Sequence, residues 1–174
     1  MKKIYFLFIC FFIFMINCNA SVKLTKCVDG DTAWFNIDGV NTKVRFLAID
    51  TPESTNEVEY YGKESSEFTC NSLKNAKTIT LEYENNKKDK YDRTLAWIFV
   101  DDKLLQSEII KNGYGEVKYI YDDYKYTDIL YENQKYAQKN KLGMWQEKKN
   151  SNIDVIIICL LIIIVFIYIC IKKR

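Results

Sequence analysis

Short apolar segments separated by charged turns set the layout of the chain. Val22 to Val28 and Thr32 to Ile37 read as strands, and Asp38-Gly39 before Val40 is a hairpin signal, so Val40 to Ile49 becomes the returning strand. Tyr60 to Ala76 has helical composition, with Tyr61, Phe68 and Leu73 as inward positions, and Thr78 to Tyr83 alternates as a strand. After the charged turn Lys87 to Lys90, the apolar run Arg93 to Val100 predicts a central strand. Leu104 to Asn112 predicts a short helix, with Leu105 and Ile109 one turn apart and Gly113 as its C-terminal cap. Thr127 to Lys141 makes a last helix, followed by Trp145. Five strands with helices inserted late suggest an α+β fold, a small closed barrel with about three packed helices.

The two ends carry a different pattern. MKK, the apolar run Ile4 to Ile16 and the small residues up to Ala20 have the layout of a secretory signal peptide, residues 1–20, cut after Ala20. Cys18 offers lipidation as a minority reading, against which Asn17 is a poor fit. Residues 153–171 are almost unbroken Ile, Leu, Val, Phe and Cys, long enough to cross a bilayer, and Lys172, Lys173 and Arg174 follow as a basic tail. The expectation is a transmembrane helix after a polar spacer at 148–152, with the domain of residues 21–147 outside the membrane. The lipid bilayer is then a partner, and the localisation is single-pass with the domain on the exported face.

Without the five basic residues of the ends and Asp154, residues 21–152 hold 20 basic against 22 acidic residues. A tight non-specific nucleic-acid binder would be basic, so this balance points to weak, local, metal-assisted engagement of any polyanion. Histidine is absent, which excludes serine triads, cysteine–histidine pairs and imidazole zinc sites. Cys27 and Cys70 are the cysteines of the domain, and pairing between them is left open.

Three polar motifs carry the chemistry. In RFLAIDTPE, Arg45 to Glu53, a buried apolar run ends in Asp50 and Glu53, with Pro52 stiffening the link between them. In VDGDT, Val28 to Thr32, Asp31 could face Asp50 across adjacent strands. Two carboxylates brought that close share a proton or hold a cation, and hard oxygens favour Ca²⁺ or Mg²⁺. DKYDR, Asp89 to Arg93, adds a second arginine at a strand start. Arg45 and Asp50 are five residues apart and would point to opposite faces of an ideal strand, so a bulge or bend near Ala48 to Asp50 is required if both reach one phosphate.

In this order and at these separations, VDGDT, RFLAIDTPE and DKYDRTLAWIFV resemble the staphylococcal nuclease (thermonuclease) family. YGKESSEFT, NAKTITLEY and GYGEVKYIY match in order between them and after them. The resemblance runs from about Val22 to Trp145 and implies a five-stranded OB-fold β-barrel. It further implies a Ca²⁺-dependent nuclease that acts on DNA and RNA and leaves 3′-phosphates. Asp31 and Asp50 would hold one Ca²⁺ with the Thr51 carbonyl, Glu53 would act as general base, and Arg45 and Arg93 would bind the phosphoryl oxygens. Lys90, Tyr91, Tyr119 and Tyr121 match substrate-pocket positions. The loop after Glu53 departs from the family, being shorter and carrying Glu57 and Glu59, which predicts weaker substrate binding. No protein partner is inferred and a monomer is expected. The competing expectation is a non-catalytic OB-fold module that binds nucleic acid or another surface.

Overall fold

The structure is a computed structural model, and residues 22–55 and 57–146 are described. Strands β1 (Val22–Cys27), β2 (Thr32–Ile37) and β3 (Val40–Phe46) form an antiparallel meander. The β2–β3 turn is Asp38-Gly39, with φ of 51° and 90°, the twist that a two-residue hairpin needs. Strand β6 (Thr94–Val100) lies parallel to β3, and β5 (Ile79–Glu82) pairs antiparallel with β6, giving the order β1-β2-β3-β6-β5. A two-residue strand β7 (Lys103–Leu104) pairs with β6. A separate ribbon joins β4 (Ile49–Asp50) to β8 (Glu116–Val117).

Three helices pack on the curled sheet: α1 (Gly62–Lys74), α2 (Leu105–Lys111) and α3 (Thr127–Lys139). The core between them is made of Phe35, Val44, Phe46, Ile49, Trp97, Ile98, Ile109, Ile110 and Leu130, all at most 1% exposed. Gln106 is also fully buried; it donates from Nε2 to the Ala96 carbonyl and accepts from the Ile98 amide, so its amide group caps two backbone groups of β6 from helix α2. The α+β architecture and the OB-fold-like core agree with the sequence expectation, but the expected closed barrel is a curled half-barrel, with β1 and β5 at the two ends of the strand order and not paired to each other.

The expected strand Val40 to Ile49 is broken. It ends at Phe46, and Ala48 takes φ 59° before β4 begins. A non-glycine residue in the left-handed region is held there by its surroundings, and both Leu47 and Ala48 are buried. Ladder bonds resume around the kink: the Leu47 amide donates to the Ala96 carbonyl, and the Lys118 amide donates to the Ala48 carbonyl. This is the bend that the spacing of Arg45 and Asp50 required.

The membrane expectation needs correction. Among the described residues no helix is long and apolar enough to cross a membrane. The longest helices among the described residues have 13 residues, which rise about 20 Å against a hydrocarbon core of roughly 30 Å. The stretches 1–20, 148–152, 153–171 and 172–174, on which the signal segment, spacer, span and basic tail were placed, lie outside the described residues. The membrane-anchored reading, the bilayer as partner and the single-pass localisation are therefore not carried forward.

Cys27, at the end of β1, is disulfide-bonded to Cys70 in α1, with Cα atoms 5.7 Å apart. The bond ties the VDGDT turn to the helix, where Thr69 also donates to the Gly30 carbonyl at 2.7 Å. A link closing a 43-residue separation stabilises by about 3–4 kcal/mol, chiefly by restricting the unfolded chain. Reduction, or the Cys27→Ser/Cys70→Ser pair, is expected to lower the thermal midpoint by roughly 10 °C. Identical melting curves with and without reductant would show that the link contributes nothing.

Candidate active site

A cavity of about 630 Å³ opens on the face where β2, β3 and β4 meet the turn before β6. Its lining includes Asp29, Asp31, Arg45, Asp50, Glu53, Asp89, Lys90, Tyr91, Arg93, Tyr119 and Tyr121. The three motifs, distant in sequence, therefore share one wall.

At the centre is Arg45, 8% exposed. The β2–β3 register sets Thr32 opposite Arg45, and the Phe46 amide donates to the Asp31 carbonyl, which places the Asp31 side chain beside the guanidinium. Arg45 Nη1 is 2.5 Å from Asp31 Oδ2, and Nη2 donates to Asp50 Oδ1 at 3.1 Å. The Nη1 contact is an ion pair, which neutralises this buried nitrogen. The Ala48 kink is what turns Asp50 towards Arg45.

Asp31 is buried and accepts from Thr32 Oγ1 at 3.0 Å, the Thr51 amide at 3.0 Å and Thr51 Oγ1 at 3.3 Å. Burial pushes its carboxyl up to about 7; Arg45 pulls it down, Asp29 adds to the rise, and the Thr51 and Thr32 bonds oppose it. Asp50 is anchored from the other side, its Oδ2 accepting from Lys118 Nζ at 2.8 Å.

The remaining candidates stand on clamped backbone. Asp89 accepts the Tyr91 and Arg93 amides on Oδ1, both at 2.9 Å, and Arg93 Nε on Oδ2 at 2.6 Å. Burial raises the Asp89 carboxyl, but those bonds and the Arg93 charge outweigh it and hold it below the usual carboxylate value. Glu53 is gripped by the loop that was expected to repel substrate: its amide donates to Glu59 Oε2 at 2.9 Å, and its carbonyl accepts from the Glu59 amide at 2.9 Å. Glu59 thus holds the Glu53 backbone while remaining, like Glu57, an exposed carboxylate.

Lys90 and Tyr91 stand on the rim, the ammonium 5.0 Å from the ring centroid, and the Arg93 guanidinium is 5.5 Å from the same ring. Tyr119 and Tyr121 stack at 6.4 Å and are both exposed; the Arg45 guanidinium lies 5.7 Å from the Tyr119 centroid. All ten candidate residues thus lie in or against one pocket: nine line it, and Thr51 reaches it through Asp31.

The family profile described as "Staphylococcal nuclease homologue" matches residues 43–147. The chain is 36% identical over 126 residues to the thermonuclease of Staphylococcus hyicus, covering 71% of this chain and 74% of that protein. It is likewise 36% identical over 129 residues to the thermonuclease of Staphylococcus intermedius, covering 72% and 76%. The chain belongs to the staphylococcal nuclease family. Endonuclease YncB of Bacillus subtilis is 33% identical over 132 residues, covering 73% of this chain and 62% of that protein. Family membership makes the described domain a nuclease-type hydrolase.

For a Ca²⁺ of the kind that the family suggests, the donor set fits in chemistry. Among the described residues no group of three or more His, Cys, Asp or Glu converges. What converges is a pair, Asp31 and Asp50, on one cation, Arg45, and both offer hard oxygens.

Sequence reasoning missed Lys118, Asp89, Glu59 as a clamp, and Gly62. Gly62 opens α1 where the Glu53 carbonyl passes so close that an added Cβ would collide with it. Gly62→Ala is expected to displace the Glu53 turn, cost about 1–3 kcal/mol and speed hydrogen exchange at the Glu53 amide. Unchanged melting and exchange in that variant would contradict the clamp.

Proposed function

We propose that the domain is a Ca²⁺-dependent nuclease that hydrolyses phosphodiester bonds of DNA and RNA to 3′-phosphate products. The observation that carries this reading is the convergence of Asp31 and Asp50 on Arg45, in a pocket that Glu53 and Arg93 also line.

Asp31, Asp50 and the Thr51 carbonyl are the groups to hold the ion. When bound, Ca²⁺ supplies Lewis-acid polarisation of the phosphoryl oxygen. Glu53 projects from a clamped backbone into the pocket with its own carboxylate available to take a proton from water. Hydroxide adds to phosphorus, the bond from phosphorus to the 5′-oxygen breaks, and the leaving oxygen takes a proton from solvent. Arg45, fixed between Asp31 and Asp50, brings a guanidinium charge to the pocket, suited to a non-bridging oxygen as charge builds there. Arg93, held by Asp89 through Nε, retains its terminal nitrogens for a second oxygen. Tyr91, Tyr119 and Tyr121 present exposed rings to which bases can stack, at about 1–3 kcal/mol per base.

Release of acid-soluble nucleotides from single-stranded DNA by the domain tests the reading. Activity is expected with Ca²⁺ and none with chelator. Arg93→Ala is expected to fall by about 10²–10³ and Glu53→Gln by about 10²–10⁴ with folding intact. Hydrolysis that survives chelation, or is indifferent to both substitutions, would refute the assignment.

A further inference from the structure

Lys118 belongs to none of the three polar motifs that carry the chemistry, yet it touches the centre of the site. The β4–β8 ribbon sets Glu116 opposite Asp50, and the Lys118 amide is bonded to the Ala48 carbonyl at 3.0 Å, so the side chain leaves the ribbon beside Asp50. Its ammonium lies 2.8 Å from Asp50 Oδ2 and 3.2 Å from Glu116 Oε1, and 5.4 Å from the centroid of the Tyr119 ring. Arg45 holds the other oxygen of Asp50. Both oxygens of one candidate ligand are thus claimed by side-chain cations, one of them deeply buried and the other, Lys118, with a side chain 46% exposed. The exposed partner is the one that can leave, because water and a phosphate can receive it.

Resting on the nuclease reading, we propose that Lys118 is a competing counter-ion at Asp50, which Ca²⁺ must displace, and that the displaced ammonium becomes a phosphate-binding group for the nucleic-acid strand. Three features support the second half. The ammonium has three donors on a flexible stem, it stands over Tyr119 at the pocket rim, and its release coincides with arrival of the cation that a polyanion needs. Lys118 therefore links metal occupancy to strand binding: without the cation it serves Asp50, and with it, the phosphate.

Calorimetric titration of Ca²⁺ into the wild type, Lys118→Met and Lys118→Arg tests the first half. Lys63→Met serves as a charge control, since Lys63 is exposed and pairs with Glu67 at 3.8 Å. Lys118→Met is expected to bind Ca²⁺ about fivefold more tightly, the scale of one half-exposed ion pair that no longer has to be broken. Lys118→Arg and Lys63→Met should stay within about twofold of the wild type. Binding of a short single-stranded oligodeoxynucleotide, measured against salt in an Arg93→Ala background, tests the second half. With Ca²⁺ present, Lys118→Met should show a salt slope shallower by about 0.7, and with chelator no difference. Equal Ca²⁺ affinity in Lys118→Met and an active wild type would overturn this inference alone. A wild type that neither binds Ca²⁺ nor cleaves would overturn it together with the reading beneath it.

Discussion

Everything at the pocket depends on one buried guanidinium between two carboxylates. Arg45 sits at the end of β3, inside the sheet, where an unpaired charge would cost several kcal/mol. It is tolerable there because Asp31 arrives from the turn that opens β2 and Asp50 from β4 after it. The hairpin register delivers the first, and the left-handed turn at Ala48 delivers the second. A straight β3 would have sent Asp50 to the far face and left Arg45 half paired.

A second regularity lies around that centre. Outside the buried Arg45–Asp31 pair, the candidate residues are held chiefly through their backbones. Asp89 fixes the amide of Arg93, Glu59 fixes that of Glu53, and Asp31 takes the Thr51 amide. Asp89 and Glu59, which have no direct part in the chemistry, and Asp31, a candidate ion ligand, hold main chain still, so that charged side chains can meet a polyanion without large ordering costs. The disulfide and the Thr69 bond do the same for the VDGDT turn from the side of helix α1.

Much of this was legible in the sequence. Hydrophobic alternation and the Asp38-Gly39 turn located the meander, and the five-residue spacing of Arg45 and Asp50 demanded a bend that is found at Ala48. Strands β4, β7 and β8 escaped because two residues carry no period. Lys118 escaped with them, since only the bond of its amide to the Ala48 carbonyl beside the short β4–β8 ribbon brings its side chain to Asp50. The Glu59 clamp was not legible, because sequence shows the sign of a side chain and not the amide that donates to it. The expected span at 153–171 rested on hydropathy alone, and among the described residues no helix is long and apolar enough to cross a membrane.

Thermal melting of Arg45→Met, with chelator and with millimolar Ca²⁺, tests the central pairing most directly. Removal of the guanidinium leaves Asp31 and Asp50 facing each other, so the variant should melt well below the wild type in chelator, by about 3–5 kcal/mol of stability. Ca²⁺ should then raise its midpoint by more degrees than it raises that of the wild type, because the ion takes over the neutralising charge. A variant that melts like the wild type in chelator, or gains nothing extra from Ca²⁺, would contradict the pairing of these two carboxylates on a shared cation.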